Sequence, residues 1–437
     1  MSKKMMKSRT IINMLLATAM IAVLSIWGCG GNTGTSSYTD PTPTTTKTAT
    51  IITAANLKVW IDEGKLNAPF GSKDRVVVVS PSTSANWTAK GHIAGAVRWD
   101  TSELAKSRIE GLAMATNMMP DGPMMDGIIQ RLGIDANTTI VISLPKNSSV
   151  YDQSLVYWDL RYWGFSKDRL KILNGGDDAW DVAGYALTTD ATDKYLASAY
   201  SVGKNAALKD IVRYSIGETI ATVDSLIATP ALKDTWQLID VRGPAQTPYI
   251  TNALRLQNAT MFMTRLNNDP ARNFVYPDRA TLESRMATLD VVDGTTLNAR
   301  VSPTKKTICM CGSSTSASPT FVMFDAVLNV AEGNIAMYDG SASQWNNYSL
   351  ARLTAKYTSA TTAQISAWAF DNALNPRAQG AMPVSTDLSI WSVVAPVLGP
   401  TAPDMNQIEK EDKAYMTPIT TTTTTGGSGG GSTPGGC

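Results

Sequence analysis

The same succession of segments occurs twice along the chain, and this constrains the fold more than any single motif. In the first half, residues 75–80 are an apolar run that reads as a buried strand. A turn segment follows at 90–96, then a strand at 139–143, then a helix at 152–164 with Leu155, Trp158 and Tyr162 on one face. A strand at 170–173 leads into residues 174–180, which hold Gly175, Gly176 and Trp180. The second half repeats this order, with strands at 236–242 and 306–310, a helix at 317–330, a strand at 334–338, and a segment at 339–345 holding Gly340 and Trp345. Strands alternating with helices build parallel sheets covered by helices. The chain is therefore expected to be an α/β protein of two similar domains, at 52–200 and 213–350, each a parallel sheet flanked by helices.

The second copy carries a group that the first lacks. Its strand at 306–310 ends at Cys311, and Gly312, Ser313, Ser314, Thr315 and Ser316 follow before the helix. Phe321, Phe324 and Leu328 give that helix an apolar face, and Pro319 falls in its first turn, where proline is tolerated. A thiol between a strand end and a helix N-terminus meets backbone N–H groups and the positive end of the helix dipole. That placement is expected to lower its pKa and to populate the thiolate near neutral pH. The corresponding strand end of the first half is Ser143, Leu144 and Pro145, with no thiol. A cysteine after an apolar run is more often a plain core residue; the duplicated plan is what singles out Cys311 as the nucleophile. Cys309 is expected to face the core, its side chain diverging from that of Cys311. His92, the single histidine, lies in the thiol-free half and is expected to be structural, because a constellation rather than a lone residue marks a site. Asp240 and Arg242 read as an ion pair that holds a strand end.

The two ends of the chain have their own character. Lys3, Lys4, Lys7 and Arg9 precede an apolar stretch at 11–27, the pattern of an export signal. The following Gly28 and Cys29 resemble a bacterial lipobox, which implies cleavage before Cys29 and lipid attached to it; plain secretion and an uncleaved membrane anchor are the alternatives. A Thr/Ser/Gly/Pro-rich tether at 29–51 would then space the folded body from a membrane. Residues 351–418 read as an extension packed back on the body, and residues 419–437 as a Thr/Gly/Ser-rich coil ending in Cys437. A coil of about 18 residues has a reach of roughly 20–25 Å, so Cys437 is an acceptor for Cys311, an anchor to a partner, or a terminal thiol with no role. The 38 basic and 37 acidic residues leave a net charge of +1, which argues against nucleic acid as a partner. One histidine and scattered thiols make no zinc or haem motif.

Several of these segments carry a family resemblance in combination. They are Gly91-His92-Ile93 with Gly95 and Ala96, Ile239-Asp240-Val241-Arg242, Cys311-Gly312-Ser313 leading into a helix, and Tyr338-Asp339-Gly340-Ser341 with Trp345. Over residues 52–350 the chain resembles tandem rhodanese-type sulfurtransferases, which act on thiosulfate or 3-mercaptopyruvate. Its lipid signal and C-terminal extension are similar to those of rhodanese-like lipoproteins from selenite or tellurite reduction operons. The resemblance implies an inactive first domain, Cys311 as the nucleophile that carries a persulfide, and Gly312, Ser313, Ser314, Thr315 and Ser316 as the cradle for the transferred sulfur. Capping the helix N-terminus is the favoured role for Ser316. The resemblance implies no cofactor. The partners it implies are a small sulfur or selenium donor, a thiol acceptor, a membrane reached through lipid on Cys29, and an envelope redox complex. The alternative is a non-enzymatic chalcogen carrier or docking lipoprotein. The chain also departs from the family. No Arg or Lys follows the cysteine, and Gln246 stands where mercaptopyruvate enzymes place an arginine, leaving Arg255 or Arg265 as substitutes. Residues 250–254 stand where a second Gly-His segment would fall.

Overall fold

Two sheets organise the molecule, and both are built from the apolar runs. The computed structural model describes residues 49–362 apart from 206, 247–248, 251–252, 295, 349, 357 and 359–360, and then residues 404–416. Cys29, the tether up to residue 48, residues 363–403 of the extension and the tail with Cys437 lie outside the described residues. The first sheet contains β1 (Ile51–Ile52), β2 (Val76–Ser82), β3 (Val97–Asp100), β4 (Thr139–Ile142) and β5 (Leu170–Leu173). Their order is β1-β5-β4-β2-β3, and every pairing is parallel. The second sheet contains β6 (Trp236–Asp240), β7 (Ala253–Arg255), β8 (Val291–Asp293), β9 (Thr296–Ala299), β10 (Lys306–Met310) and β11 (Ile335–Met337). Their order is β9-β8-β7-β6-β10-β11, with β8 and β9 antiparallel additions at one edge. Central parallel strands are covered on both faces, which is why they read as unbroken apolar runs.

The registers make the duplication quantitative. Ile142 pairs with Ile172 in the first sheet, and Cys309 pairs with Met337 in the second. Counting on from these pairs sets Leu144 in the place of Cys311, and Gly176 in the place of Ser341. The main chain agrees: Asp177 N donates to Leu144 O at 2.8 Å, and Ala342 N donates to Cys311 O at 3.1 Å. Even the entry strand recurs, because Ile51 pairs with Ile172 and Arg213 bridges to Met337. Each entry is followed by a helix with a capping box, Ala54–Asp62 after Thr53 and Ile216–Ala228 after Ser215.

The helix Val150–Tyr162 differs from its amphipathic reading. It is buried on nearly every side, Val150 and Gln153 through Tyr162 included, because it lies between the first sheet and the second half. One core cluster accordingly contains Val77 and Ile142 together with Cys309 and Met337. Tyr157 Oη donates to Asp325 at 2.7 Å, and Arg161 Nε pairs with Asp325 at 2.9 Å, with both charged side chains 1% exposed. The helix expected at 317–330 is also shorter and irregular. A 3-10 turn at Thr315–Ala317 precedes the α-helical Ser318–Val322, with Pro319 in its first turn, and a π-helical turn at Met323–Val327 ends it. An apolar periodicity specifies the buried face but not the wider turn that holds Asp325.

Each half also extends a hairpin. Lys106–Glu110 pairs with Ala113–Met118 between β3 and β4, and Thr264–Arg265 pairs with Phe274–Val275 between β7 and β8. The helix Gln407–Tyr415 lies on the first hairpin, where Asp412 accepts from Arg108 at 2.9 Å and from Tyr162 Oη at 2.9 Å. Among the described residues, no helix is long and apolar enough to cross a membrane.

Candidate active site around Cys311

The site is built at the carboxyl end of β10. Cys311 N donates to the Ser341 hydroxyl at 3.0 Å, and that hydroxyl donates to Tyr338 O at 2.8 Å. Facing the Cys311 thiol are the amides of Ser313, Ser316 and Ala317 and the Ser341 hydroxyl. Gly312 contributes its carbonyl, which accepts from Ser343 N at 2.9 Å, and a Cβ there would meet open space. The tight position of the loop is Ser314 instead, with φ 60° and ψ −57°. Thr315 N closes back on Ser313 O at 2.7 Å, so residues 313–315 form a γ-turn of the positive-φ kind, a rare and strained conformation.

The loop therefore forms a cradle, but not from every group the sequence offered. The amides turned to sulfur are those of Ser313 and Ser316, joined by Ala317. The hydroxyls of Ser313, Ser314 and Thr315 are bonded to protein atoms. Ser313 Oγ accepts from Asn117 Nδ2 at 3.0 Å, Ser314 Oγ donates to Asn117 O at 2.6 Å, and Thr315 Oγ1 donates to Ser313 O at 3.3 Å. Ser316 does not cap. The residue before the 3-10 turn is Ser314, the one before the α-helix is Ala317, and neither makes a side-chain cap bond.

The electrostatics correct the expectation of a low thiol pKa. Cys311 is 1% exposed, and burial pushes its thiol above the ordinary value, while the three amides and the Ser341 hydroxyl act the other way without overcoming it. The strand-loop-helix placement supplies the donors, but the depth of the thiol decides the sign. Cys309 corrects a second expectation. Positions two apart along a strand share a face, and both cysteines lie in the same core cluster. Cys309 Sγ donates to Ala336 O at 3.5 Å, and burial, then the charge of Cys311, push its thiol far upward. Both are free thiols.

Three further groups lie within electrostatic reach of Cys311. Tyr151 and Tyr249 have hydroxyls raised by burial and, among other causes, by the thiolate charge, and the Arg242 guanidinium also feels that charge. Arg242 makes the expected pair with Asp240 at 2.8 Å and stacks on Tyr249 at 4.5 Å. Arg255 is directed instead to the carbonyls of Pro244, Gln246 and Gly294 at 3.0, 3.2 and 2.7 Å. Arg265 stacks on Phe274 at 4.0 Å and donates to Arg272 O at 2.5 Å. Ser341, Tyr151 and Tyr249 escape a reading for nucleophiles; the one signal for Ser341 is its place in the repeated Gly…Trp segment. His92 is buried in the other half, stacked on Trp87 at 3.6 Å and bonded through Nδ1 to Trp87 O at 3.1 Å. Among the described residues, no group of three His, Cys, Asp or Glu side chains could hold a metal ion.

Comparison with solved structures defines the class of fold. The Tum1 protein from Saccharomyces cerevisiae superposes with a TM-score of 0.50 at 17% identity, over 68% of this chain and 94% of that one. The 3-mercaptopyruvate sulfotransferase SseA from Escherichia coli, whose fold is described as "rhodanese", is 20% identical over 67% of this chain and 99% of its own, with a TM-score of 0.47. An anaerobic ergothioneine biosynthesis enzyme from Chlorobium limicola is 18% identical over 68% of each chain, with a TM-score of 0.49. No family model matches the chain, and no curated protein does. The fold shared with Tum1 is two helix-flanked, largely parallel sheets in tandem. Identities this low define architecture alone.

Proposed function

We propose that the chain is a sulfurtransferase that carries sulfane sulfur on Cys311. The observation that carries this reading is the amide cradle of Ser313, Ser316 and Ala317 around the thiol, in the half where the other copy places Leu144. In the first step the Cys311 thiolate attacks the outer sulfur of a small donor. The Sγ–S bond forms as the donor's bond to that sulfur breaks, and the bonding pair leaves with the rest of the donor. In the second step an acceptor thiolate attacks the outer persulfide sulfur and the pair returns to Cys311. The cradle donors stabilise negative charge on the outer sulfur, as oxyanion-hole donors do for oxygen. Arg242 favours an anionic donor, because it supplies the cation that the loop lacks. Selenium fits the same two steps once thiol has reduced selenite to a selenotrisulfide, with a disulfide as the oxidised product; Cys311 thiolate then attacks its selenium as one thiolate leaves.

A second reading has its own support. Cys311 is 1% exposed and its thiol rests protonated at neutral pH, which suits a chalcogen carrier loaded by a docked partner. The experiment that separates the two uses the full-length chain with thiosulfate, 3-mercaptopyruvate, or selenite plus thiol as donor, and cyanide or a thiol as acceptor. Turnover abolished by Cys311→Ser supports the enzyme. An added sulfur or selenium on Cys311 by mass spectrometry, without turnover, supports the carrier. A wild type as inert as the variant, with an unmodified thiol, sinks both. The proposal extends to location: the lipobox-like residues before Cys29 support export and lipid anchoring to the cell envelope, where an envelope redox complex would be the partner. Mass spectrometry that finds an uncleaved, unlipidated N-terminus rejects it.

A further inference from the structure

The two hairpins reach across between the halves, and each delivers an asparagine to the loop of the other. Asn273, fully buried beside the second hairpin, donates through Nδ2 to Pro145 O at 3.0 Å and accepts from Ser148 N at 2.9 Å. Pro145 to Ser149 follow Leu144 as Gly312 to Ser316 follow Cys311. Asn117, in the first hairpin, donates through Nδ2 to Ser313 Oγ at 3.0 Å and accepts from Ser314 Oγ through its carbonyl at 2.6 Å. The sheet registers set Asn147 in the place of Ser314, and both have positive φ, at 44° and 60°. Asparagine tolerates this region; serine does so less readily. The thiol-free loop thus carries a residue suited to its own turn, whereas the Cys311 loop carries one that must be held there.

We infer that Asn117 is a positioning residue for the Cys311 loop: its main-chain carbonyl holds Ser314 in the strained turn, its side-chain amide holds the adjoining Ser313, and that turn keeps the Ser313, Ser316 and Ala317 amides on the sulfur. Strain of this kind persists only where surrounding contacts fix it. The Ser314 hydroxyl is fully buried and its bond to Asn117 crosses between the halves. The half without a thiol then has a task, which is to complete the cradle of the half that has one. The inference rests on the proposed role of Cys311 only in that the sulfur being held is the one assigned to react.

The test is a thiolate titration by ultraviolet absorbance on the full-length chain, with the Cys311→Ser trace subtracted. The subtraction removes the background of the tyrosines that do not feel the thiolate; Tyr151, Tyr249, Cys309 and Arg242 are the groups that do. Ser314→Ala removes the tether and keeps the strain, so the Cys311 midpoint is expected to move up by about one pH unit, the size of one lost hydrogen bond to the charged form. Ser314→Gly removes the tether and the strain together, since glycine adopts positive φ freely, and is expected to move the midpoint by less than half as much. An unmoved midpoint in Ser314→Ala overturns the inference. So does a Gly variant that moves as far as the Ala variant, because the hydroxyl would then serve the sulfur without the turn. If Ser314→Ala does not fold, Ser313→Ala severs the Asn117 side-chain bond alone; a smaller upward move supports the inference and none overturns it. The titration uses no donor, so its outcome is independent of whether sulfur transfer is found.

Discussion

Leu144 and Cys311 occupy the same place in two copies of one plan, and the residues around them show what the difference requires. In the first half Gly176 has φ 58°, and a Cβ there would sit 2.6 Å from Leu144 O, so only glycine fits. In the second half the same place is Ser341, with φ 49°, and its hydroxyl takes the buried Cys311 N–H. Ser341→Ala should leave that N–H unpaired and cost about 1–3 kcal/mol, read as a lower denaturant midpoint at unchanged slope. It should also raise the Cys311 pKa, because one donor to the thiolate is lost. A variant with unchanged stability and titration would remove Ser341 from the site. In the proposed transfer the thiolate is the reacting form, and burial holds the thiol above its ordinary value of 9.0. The rate of persulfide formation should therefore climb with pH through the neutral range, with its midpoint above that value. A rate already level at neutral pH would show that the donor or a partner lowers the pKa on binding.

The helix Val150–Tyr162 and the π-turn Met323–Val327 are where the two halves become one core. Asp325 lies in the turn and answers Tyr157, Arg161 and Lys167, three groups from the first half. Asp325→Ala should destabilise the protein by about 3–5 kcal/mol, because a buried guanidinium is left without its main counter-charge. Arg161→Met combined with Asp325→Leu should recover much of that, as apolar replacement of a whole buried pair often does. Equal losses in the single and double variants would show that packing, not charge, joins the helices. These elements also show what a sequence can specify. The strands Thr139–Ile142 and Lys306–Met310 were legible because strands buried on both faces are continuous apolar runs. The position of Cys311 followed from the same runs. The π-turn was not legible, because hydrophobic spacing does not encode one extra residue in a turn. Nor was the cradle's geometry, since the conformation of Ser314 depends on Asn117, 197 positions away. Helix placement pointed to a depressed thiol pKa; burial, a property of the assembled halves, reversed it.

At the scale of the molecule, charge is concentrated where three parts of the chain meet. Arg213 is fully buried and bonds Glu110 from the first hairpin at 3.0 Å, Asp339 beside the candidate site at 3.0 Å, and Glu409 from the helix Gln407–Tyr415 at 3.5 Å. Truncation after residue 403 should therefore lower the melting temperature of both halves together, in one transition, because it strips Arg213 and Arg108 of Glu409 and Asp412. Two separate transitions would show that the halves are stable independently. Carboxylates outnumber cations in this region, and proton uptake resolves the excess. Glu409 is pushed up to about 8, by burial first and against the pull of Arg213. Asp159 is raised well above the carboxylate range by burial and by Asp339, and both its oxygens are buried without a hydrogen-bond partner. An unfolded aspartate loses its proton near pH 4, whereas the folded chain keeps this one far higher. Between those two values the folded state holds more protons, so Asp159 makes stability fall as pH rises, by about 1.4 kcal/mol per pH unit. Asp159→Asn keeps the shape and removes the titration. Its unfolding free energy relative to wild type should therefore grow steadily from pH 5 to pH 8, measured by denaturant titration at each pH. A constant difference across that range would mean that Asp159 ionises in the folded protein as it does in the unfolded one.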